Sequence, residues 1–493
     1  MKPSAVTIKE IPSRFRHQVP KYKITRSDAC INCGTCARTC PYGVHERVEG
    51  HNRVNPPIDY KCIGFECQSK EFCCIGKCPR QALSLSLNPM YDTLGDYRWT
   101  ADIITATWIM AETGYPPTRT DLEYSVGNSG GGFDKLRFKF PANPPYVDTS
   151  QISTAIELNR RNDGRGNVVI STPMYGGGMS FGSVSLPTMV SKAHNATIWN
   201  TFTCSGEGGY PENLIPYDDH VITQVATGLF GVREETIQRV RIVEFKYAQG
   251  AKPGLGGHLL GEKNTESVAR MREAVKGTSL FSPFPFHSVY SIEDHKKHID
   301  WIKEMNPQAL VSVKVSTPND VDMVAVGSYY AGAHIIHIDG GYGGTGAAPD
   351  IAKKNIAMPI EYGIVKVHRF LKDEGVRDAI TLIASGGIRT AHDLAKAICL
   401  GADGAVVGTA ELIALECVRC GNCESGRGCA RGIASTDSEL ADLFTEEWAT
   451  QRLTNFYHAW NVQLVEILQK FGMKSVKELV GRTDLLEHID YSN

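Results

Sequence analysis

From about residue 166 to 412 the chain alternates short apolar runs with longer stretches of helical period. The runs Asn167–Ser171, Thr197–Thr203, Arg241–Tyr247, Ala309–Val315, His334–Asp339, Ile380–Ser385 and Gly404–Val407 read as strands. They are almost continuously apolar, as strands buried on both faces are. Their ends carry Gly, Ser, Lys, Glu or Asp. Alternating β and α over this length, with chemistry-bearing residues at strand C-termini, is the pattern of a (β/α)8 barrel; a doubly wound open sheet is the rival.

Three other regions flank the alternation. Residues 1–90 form a small cysteine-rich module. Residues 91–165 are a connector in which the apolar segment Asp102–Glu112, containing Trp108, reads as a helix. Around it lie loop signals: Gly-Tyr-Pro-Pro at 114–117, Gly130-Gly131-Gly132, and the proline-rich stretch 141–145. Residues 413–493 open with another cysteine stretch and continue as a helical tail, Asp437 to Leu486, with its clearest apolar period from Ala459 to Phe471.

A chain of 493 residues is long enough for a large barrel and a small module. The net charge of −2 gives no reason to expect a nucleic-acid partner. No run approaches the apolar length of a membrane span. The segment Met1 to Lys23 has no apolar core of a secretory signal. The expectation is a cytoplasmic protein in a reducing compartment, where clustered cysteines serve metal rather than disulfides. Of its 15 cysteines, all but Cys204 and Cys399 fall in two regions, the first of which holds two stretches, Cys30–Cys40 and Cys62–Cys78, and the second a third, Cys417–Cys429.

The first stretch is the most specific chemical signal. Cys30, Cys33, Cys36 and Cys40-Pro41 have the C-x2-C-x2-C-x3-C-P spacing of a bacterial-type [4Fe–4S] ferredoxin. The fourth cysteine of such a run ligates a second cluster, so a second set is required. It follows as Cys62, Cys67, Cys73, Cys74 and Cys78-Pro79. Cys74-x3-Cys78-Pro79 repeats the first ending, which favours Cys74 over Cys73 as the ligand. A disulfide-rich secreted module is the alternative. Basic residues outnumber acidic ones between 21 and 90; this offsets cluster thiolates and identifies no docking partner.

Later, Cys417, Cys420, Cys423 and Cys429 lie beside Gly421, Gly426 and Gly428. Three or four thiolates at this spacing suit a third iron–sulfur cluster, with zinc as the alternative. Just upstream, Ser385-Gly386-Gly387 and Val407-Gly408-Thr409 end consecutive expected strands. Backbone N–H groups there form the phosphate cradle of such barrels, which points to a phosphate-bearing cofactor, FMN first. A cluster beside a flavin would relay single electrons to a cofactor that delivers pairs. Lys246, Gln249, Lys252, Lys314 and Glu207 bring charge and polarity to the expected mouth. Several cations in one pocket would suit a dicarboxylate. Lys246 and Lys314 lie in apolar runs, where an unpaired charge is costly.

The ordered series Met179-Ser180-Phe181-Gly182-Ser183, Ser205 to Gly209, Ala248 to Gly254, Tyr290 to Asp294, Gly343 to Ala347 and Ser385 to Gly387 resembles the FMN-binding synthase domain of glutamate synthase. It is similar to the archaeal-type synthase subunit with a fused two-cluster ferredoxin domain. The resemblance implies reduction of 2-iminoglutarate, formed from 2-oxoglutarate and ammonia, by reduced FMN. It implies Met179 and Ser180 at flavin and substrate, Lys246, Lys252 and Arg272 near the keto-acid carboxylates, and Gln249 beside them. Glu207 matches a loop glutamate that senses a glutaminase partner near the ammonia entry. Gly386, Gly387, Gly408 and Thr409 match the FMN phosphate site. Gly182, Gly343, Gly344 and Lys314 match its surroundings, with Lys314 also toward substrate. The third stretch matches a [3Fe–4S] site through Cys417, Cys423 and Cys429; Cys420 as a fourth ligand leaves [4Fe–4S] open.

Leu255, His258, Gly341-Tyr342 and Phe286-His287-Ser288 depart from the family pattern near the mouth. They leave a related amine-forming enzyme, such as N-methylglutamate synthase, and an FMN/iron–sulfur electron-transfer subunit as alternatives. No N-terminal nucleophilic cysteine and no G-x-G-x-x-G follow from the sequence. Ammonia and electrons are therefore expected from a separate glutaminase and an NAD(P)H- or ferredoxin-linked donor, or from free ammonia and ferredoxin, within an oligomer.

Overall fold

The computed structural model describes the chain except residues 1–5, 15–18, 118–131, 283–285, 349–350, 354, 425–426 and 492–493. Gly130, Gly131 and Gly426 of the loop signals lie outside the described residues.

The cysteine-rich module is built on two antiparallel strands, β1 (Tyr22–Arg26) and β2 (Leu83–Leu87), with Tyr22 opposite Leu87. Alternation along β1 buries Tyr22 and Ile24 and exposes Lys23 and Thr25. The core this makes is small: Ile24, Val44, Cys74 and Leu83, with Cys36, Cys40, Cys62 and Cys78 packed on it. So small a core needs a staple, and the cysteines inside it are where metal would supply one.

Helix α1 (Ala101–Thr113) follows. It is buried on all sides, including Ile103, Ile104, Trp108 and Met110, as expected of a helix apolar all round. Its C-terminal carbonyls are met by the side-chain amide of Asn455, which donates to Ala111 and Glu112 and also to Lys9.

The barrel consists of β3 (Met174–Gly176), β4 (Thr203–Cys204), β5 (Val221–Ala226), β6 (Ile242–Lys246), β7 (Leu310–Ser316), β8 (Ile335–Asp339), β9 (Thr381–Ser385) and β10 (Gly404–Val407). All neighbouring pairs are parallel. The ladder runs from β3 through β10 back down to β4, and the Gly176 N–H joins its two ends by donating to the Phe202 carbonyl at 2.9 Å. The helices α2 (Leu186–Ile198), α3 (Ile292–Met305), α4 (Val321–Ala331), α5 (Ile360–Asp373) and α6 (Ala391–Leu400) cover its outside. Between β6 and α3 an insertion carries the ribbon His258–Leu259/Leu280–Phe281 and the short helix Glu266–Arg272. The long C-terminal helix α7 (Glu446–Phe471) packs on α1, α2 and α6.

Two expected strands are corrected. Within Asn167–Ser171, Val169–Ile170 pairs antiparallel with Ile156–Glu157, apart from the barrel sheet. Most of Thr197–Thr203 is the end of α2 and a turn, and only Thr203 enters β4. The barrel strands in their place are β3, hidden between Pro173 and a glycine run, and β5, whose Thr223 and Gln224 interrupt an apolar run. Of the two, Gln224 points into the buried barrel interior, where it has a partner, as described next.

Candidate active site

Every barrel strand sends its C-terminal end to one mouth, where active sites of such barrels sit. Below the mouth lies a polar network in the barrel interior. Gln224 on β5 donates to Glu244 on β6 at 2.8 Å, and Ser312 on β7 donates to the other carboxylate oxygen at 2.9 Å. His337 on β8 bridges Glu244, 3.0 Å from Nδ1, and the Ser385 hydroxyl, 2.7 Å from Nε2. Ser385 donates to Asp339 at 2.7 Å. Because a hydroxyl has one proton to give, Ser385 accepts from His337, and both ring nitrogens of His337 act as donors. Burial alone would raise the Glu244 carboxyl, but His337, Lys314 and Gln224 hold it down to about 2. Lys314 lies 3.5 Å from Asp339, whose other bond comes from the Gly250 N–H at 3.0 Å. Burial opposes the Lys314 charge, but Asp339 and Glu244 outweigh it and raise its pKa. The charge flagged in that strand is therefore paired.

Above this layer the predicted cations gather. Lys246, at the end of β6, lies 3.2 Å from the Glu207 carboxylate. Lys252 and Arg272 act on the same carboxylate: burial favours its neutral form, and Lys246, Lys252 and Arg272 together reverse that and lower its pKa. Arg272 also donates to the Ser180 hydroxyl at 2.9 Å and to the Phe181 carbonyl at 3.0 Å. Lys252 donates to the Ala347 carbonyl at 3.1 Å; burial and then Lys246 push its pKa down to about 8. Gly257 backs the Glu207 side chain so closely that an added Cβ would overlap Oε1. Met179 and Gln249 are half-buried at the same rim, and Gly182 is buried beneath it against Leu259 and Val268.

The glycine-rich ends form the opposite rim. Gly386 has φ +84°, and a Cβ there would come within 2.3 Å of the Gly340 carbonyl, so only glycine fits. At Gly408 an added Cβ would meet nothing within 4 Å. That is open room beside backbone, the cradle a phosphate requires. Gly344 packs against the Thr409 hydroxyl, and Gly343 against Ala251. Arg98 and Arg419 also reach this rim. Arg98 stacks on Tyr342, 3.9 Å from its ring centre, and approaches Gly387; Arg419 approaches Gly344 and pairs with Asp96 at 2.7 Å. Neither arginine was foreseen from sequence. Arg98 lies well before the first barrel strand with no motif to mark it, and Arg419 lies inside the third cysteine motif, where the spacing drew notice to the cysteines alone.

The third cysteine stretch borders the same rim, with Cys423 against Gly346. Burial raises the Cys417 thiol to about 12, with the Cys423 and Cys429 sulfurs adding to it, and Cys423 in turn feels both Cys429 and Cys420; all four cysteines therefore lie near one another, Cys420 being the exposed one. In the module, Cys30, Cys33, Cys36 and Cys78 line one cavity. The Cys62, Cys67 and Cys74 thiols, raised first by burial, each also feel Cys40. Cys73 belongs to the same group. Among the described residues, no three or more His, Cys, Asp or Glu converge on a single-ion position. A cube-shaped cluster instead bonds each thiolate to a different iron, so its ligands stand wider apart. Of the positions departing from the family pattern, Leu255 is exposed, His258 pairs with Glu424 at 3.3 Å, and Phe286 packs on Tyr247. Among the described residues, no helix is long and apolar enough to cross a membrane.

Residues 142–474 match the family described as "Conserved region in glutamate synthase", and residues 24–44 match a "4Fe-4S binding domain". The chain is 36% identical to the archaeal-type glutamate synthase [NADPH] of Thermotoga maritima, over 95% of each chain. It is 34% identical to the archaeal glutamate synthase [NADPH] of Archaeoglobus fulgidus, over 96% of this chain and 95% of that one. The glutamate synthase [NADPH] large chain of Azospirillum brasilense is 38% identical over 58% of this chain and 19% of its own length. With its parallel eight-stranded barrel, its charged mouth and its iron–sulfur motif, the chain belongs to the glutamate synthase family, oxidoreductases acting on CH–NH2 groups.

Proposed function

We propose that the chain catalyses reductive amination of 2-oxoglutarate to L-glutamate by way of 2-iminoglutarate, using FMN and electrons relayed through three iron–sulfur clusters. The observation that carries this reading is the convergence of Lys246, Lys252 and Arg272 on one carboxylate, Glu207, at the barrel mouth. Three cations around a carboxylate of the chain's own can hold the carboxylates of a keto diacid.

FMN, when bound, supplies a carrier that is filled one electron at a time and gives up a hydride. Gly386, Gly387, Gly408 and Thr409 would hold its phosphate, with Arg98 and Arg419 at hand. Met179, Ser180, Gly182, Gly343, Gly344 and Lys314 would line its ring and ribityl chain. Lys246, Lys252 and Arg272 orient the substrate, assisted by Gln249 and Ser180. Glu207, its charge held by Lys246, stands where ammonia would enter. Cys30, Cys33, Cys36 and Cys78 would ligate one [4Fe–4S] cluster. Cys40, Cys62, Cys67 and Cys74 would ligate the other, and Cys417, Cys423 and Cys429 the third. Ammonia and electrons come from separate glutaminase and electron-donor proteins in a cytoplasmic assembly.

The test is reoxidation of the chemically reduced flavoprotein by a panel of keto acids and amines under anaerobic conditions. The expected result is reoxidation by 2-oxoglutarate with ammonia. Preference for methylamine identifies an N-methylglutamate-forming enzyme. No reoxidation by any keto acid identifies an electron-transfer subunit.

A further inference from the structure

The proposed reaction draws on three places that reach the barrel mouth from different strands. They are the Gln249–Lys252 segment beyond β6, Lys314 on β7, and the Ser385–Gly387 turn at the end of β9. The carboxylate of Asp339, the last residue of β8, meets all three. It is 6% exposed. One oxygen accepts from the Ser385 hydroxyl at 2.7 Å. The other accepts from the Gly250 N–H at 3.0 Å and lies 3.5 Å from the Lys314 ammonium. One buried side chain on β8 thus joins groups carried by β6, β7 and β9, its neighbours in the sheet.

The backbone beside it is shared as closely. An added Cβ at Gly250 would lie 2.0 Å from the Gly340 carbonyl oxygen, and one at Gly386 would lie 2.3 Å from the same atom. The Gly340 N–H donates to the Ser385 carbonyl at 2.9 Å. Both loops therefore rest on Asp339 and Gly340, and the Asp339 side chain adds a hydrogen bond to each. Burial favours the neutral form of this carboxyl, but Lys314, His337, Ser385 and Gly250 together reverse that and lower its pKa. Bonds to an ionised acceptor are stronger than bonds between neutral groups.

Resting on the flavin and keto-acid reading above, we infer that Asp339 is a positioning residue for the reaction, holding the Gln249–Lys252 segment in place for the keto acid through Gly250 and offsetting the Lys314 charge that FMN would face. Its loss then has two separable effects. The missing charge is felt by the flavin through Lys314, because charge beside a flavin tunes its electronics. The missing bond is felt by the substrate through Gly250.

Redox titration of the bound flavin and steady-state kinetics on the full-length holoprotein test this together. Asp339→Asn keeps the size and an acceptor oxygen and removes the charge. It should raise the flavin potential, since Lys314 is no longer offset and favours the more negative, reduced form. It should also raise the KM for 2-oxoglutarate severalfold. Lys314→Met should lower the potential. In the double variant the two shifts should cancel, returning the potential toward wild type while the KM stays raised. An unmoved potential in Asp339→Asn, or single variants that shift it in the same direction, overturns the charge role. An unmoved KM overturns the positioning of the 249–252 segment. If Asp339→Asn does not retain flavin, the double variant, which leaves neither charge unpaired, is compared with Lys314→Met. Its potential should be the higher of the two, and equality overturns the inference. Wild-type protein that holds no FMN, or does not turn over 2-oxoglutarate, removes the reading on which this rests; a wild type that does both leaves the fault with Asp339 alone.

Discussion

The Glu207 carboxylate stands 3.2 Å from the Lys246 ammonium, at the place where the carboxylate of a bound diacid would be expected. Lys252 and Arg272 act on the same carboxylate, so before substrate arrives the pocket holds an internal anion and still carries an excess of positive charge. A keto diacid entering it must share or displace an internal anion.

Removing one cation should weaken substrate rather than flavin. A charge-assisted hydrogen bond contributes roughly 1.5–3 kcal/mol. Lys246→Met, Lys252→Met and Arg272→Met are each expected to raise the KM for 2-oxoglutarate about ten- to a hundredfold. FMN content should be unchanged. Steady-state kinetics with a reduced artificial donor measures this, and an unaltered KM in all three places the pocket elsewhere.

Substrate capture should weaken in alkali. Lys252 loses its proton as pH rises through about 8, because burial and Lys246 disfavour its charge. Its pull on a carboxylate is present below that pH and lost above it. The profile of kcat/KM for 2-oxoglutarate should fall through this range, and Lys252→Arg should carry the falling limb to higher pH. A limb that stays in place in Lys252→Arg belongs to another group.

Two glycine substitutions should part folding from cofactor binding. Gly386→Ala forces a Cβ toward the Gly340 carbonyl at positive φ, and is expected to lower thermal stability as well as flavin content. Gly408→Ala meets nothing in the chain, so the apoprotein should melt as the wild type does. FMN should nevertheless bind more weakly, because the methyl takes the room of the phosphate. Equal FMN affinity in Gly408→Ala would move the phosphate away from β10.

The third cluster should tolerate loss of its exposed cysteine. Cys420→Ala is expected to keep iron near the wild-type value and to retain the EPR signal of the third cluster, whereas Cys423→Ala should lose it. Loss in both variants makes Cys420 a ligand and the cluster [4Fe–4S].

The interior network should matter for stability. Glu244→Gln leaves His337 without its counter-charge and presents an amide to the Gln224 donor. Breaking a buried pair in this way costs ~3–5 kcal/mol. Urea denaturation followed by tryptophan fluorescence should register a loss of that order, and a loss below about 1 kcal/mol would mean that the network adds little to stability.

The barrel was legible in the sequence where apolar residues dominate a strand. Runs such as Leu310–Val315 and Ile335–Asp339 are buried on both faces, and each sets its interior polar residues, Ser312 and Lys314 or His337 and Asp339, singly among apolar neighbours. It was harder to read where two polar residues stand side by side in the run. Val221–Ala226 holds Gln224 because Glu244 needs a donor, and that need lies on another strand. The glycine rim and the cysteine spacing were legible because backbone approach and cluster ligation demand particular residues at short range. Arg98, Arg419 and the Glu244–His337 pair were not, since each acquires its meaning only from a partner distant along the chain. The Glu207–Lys246 contact lies between these extremes: the sequence offered both residues without indicating that they meet.

The amide of Asn455, near the middle of α7, grips the carbonyls of Lys9, Ala111 and Glu112. These three contacts join parts of the chain more than 300 residues apart. Contacts of such separation pay their loop-closure entropy before they return any stability, so the seat of the module is completed only when α7 docks.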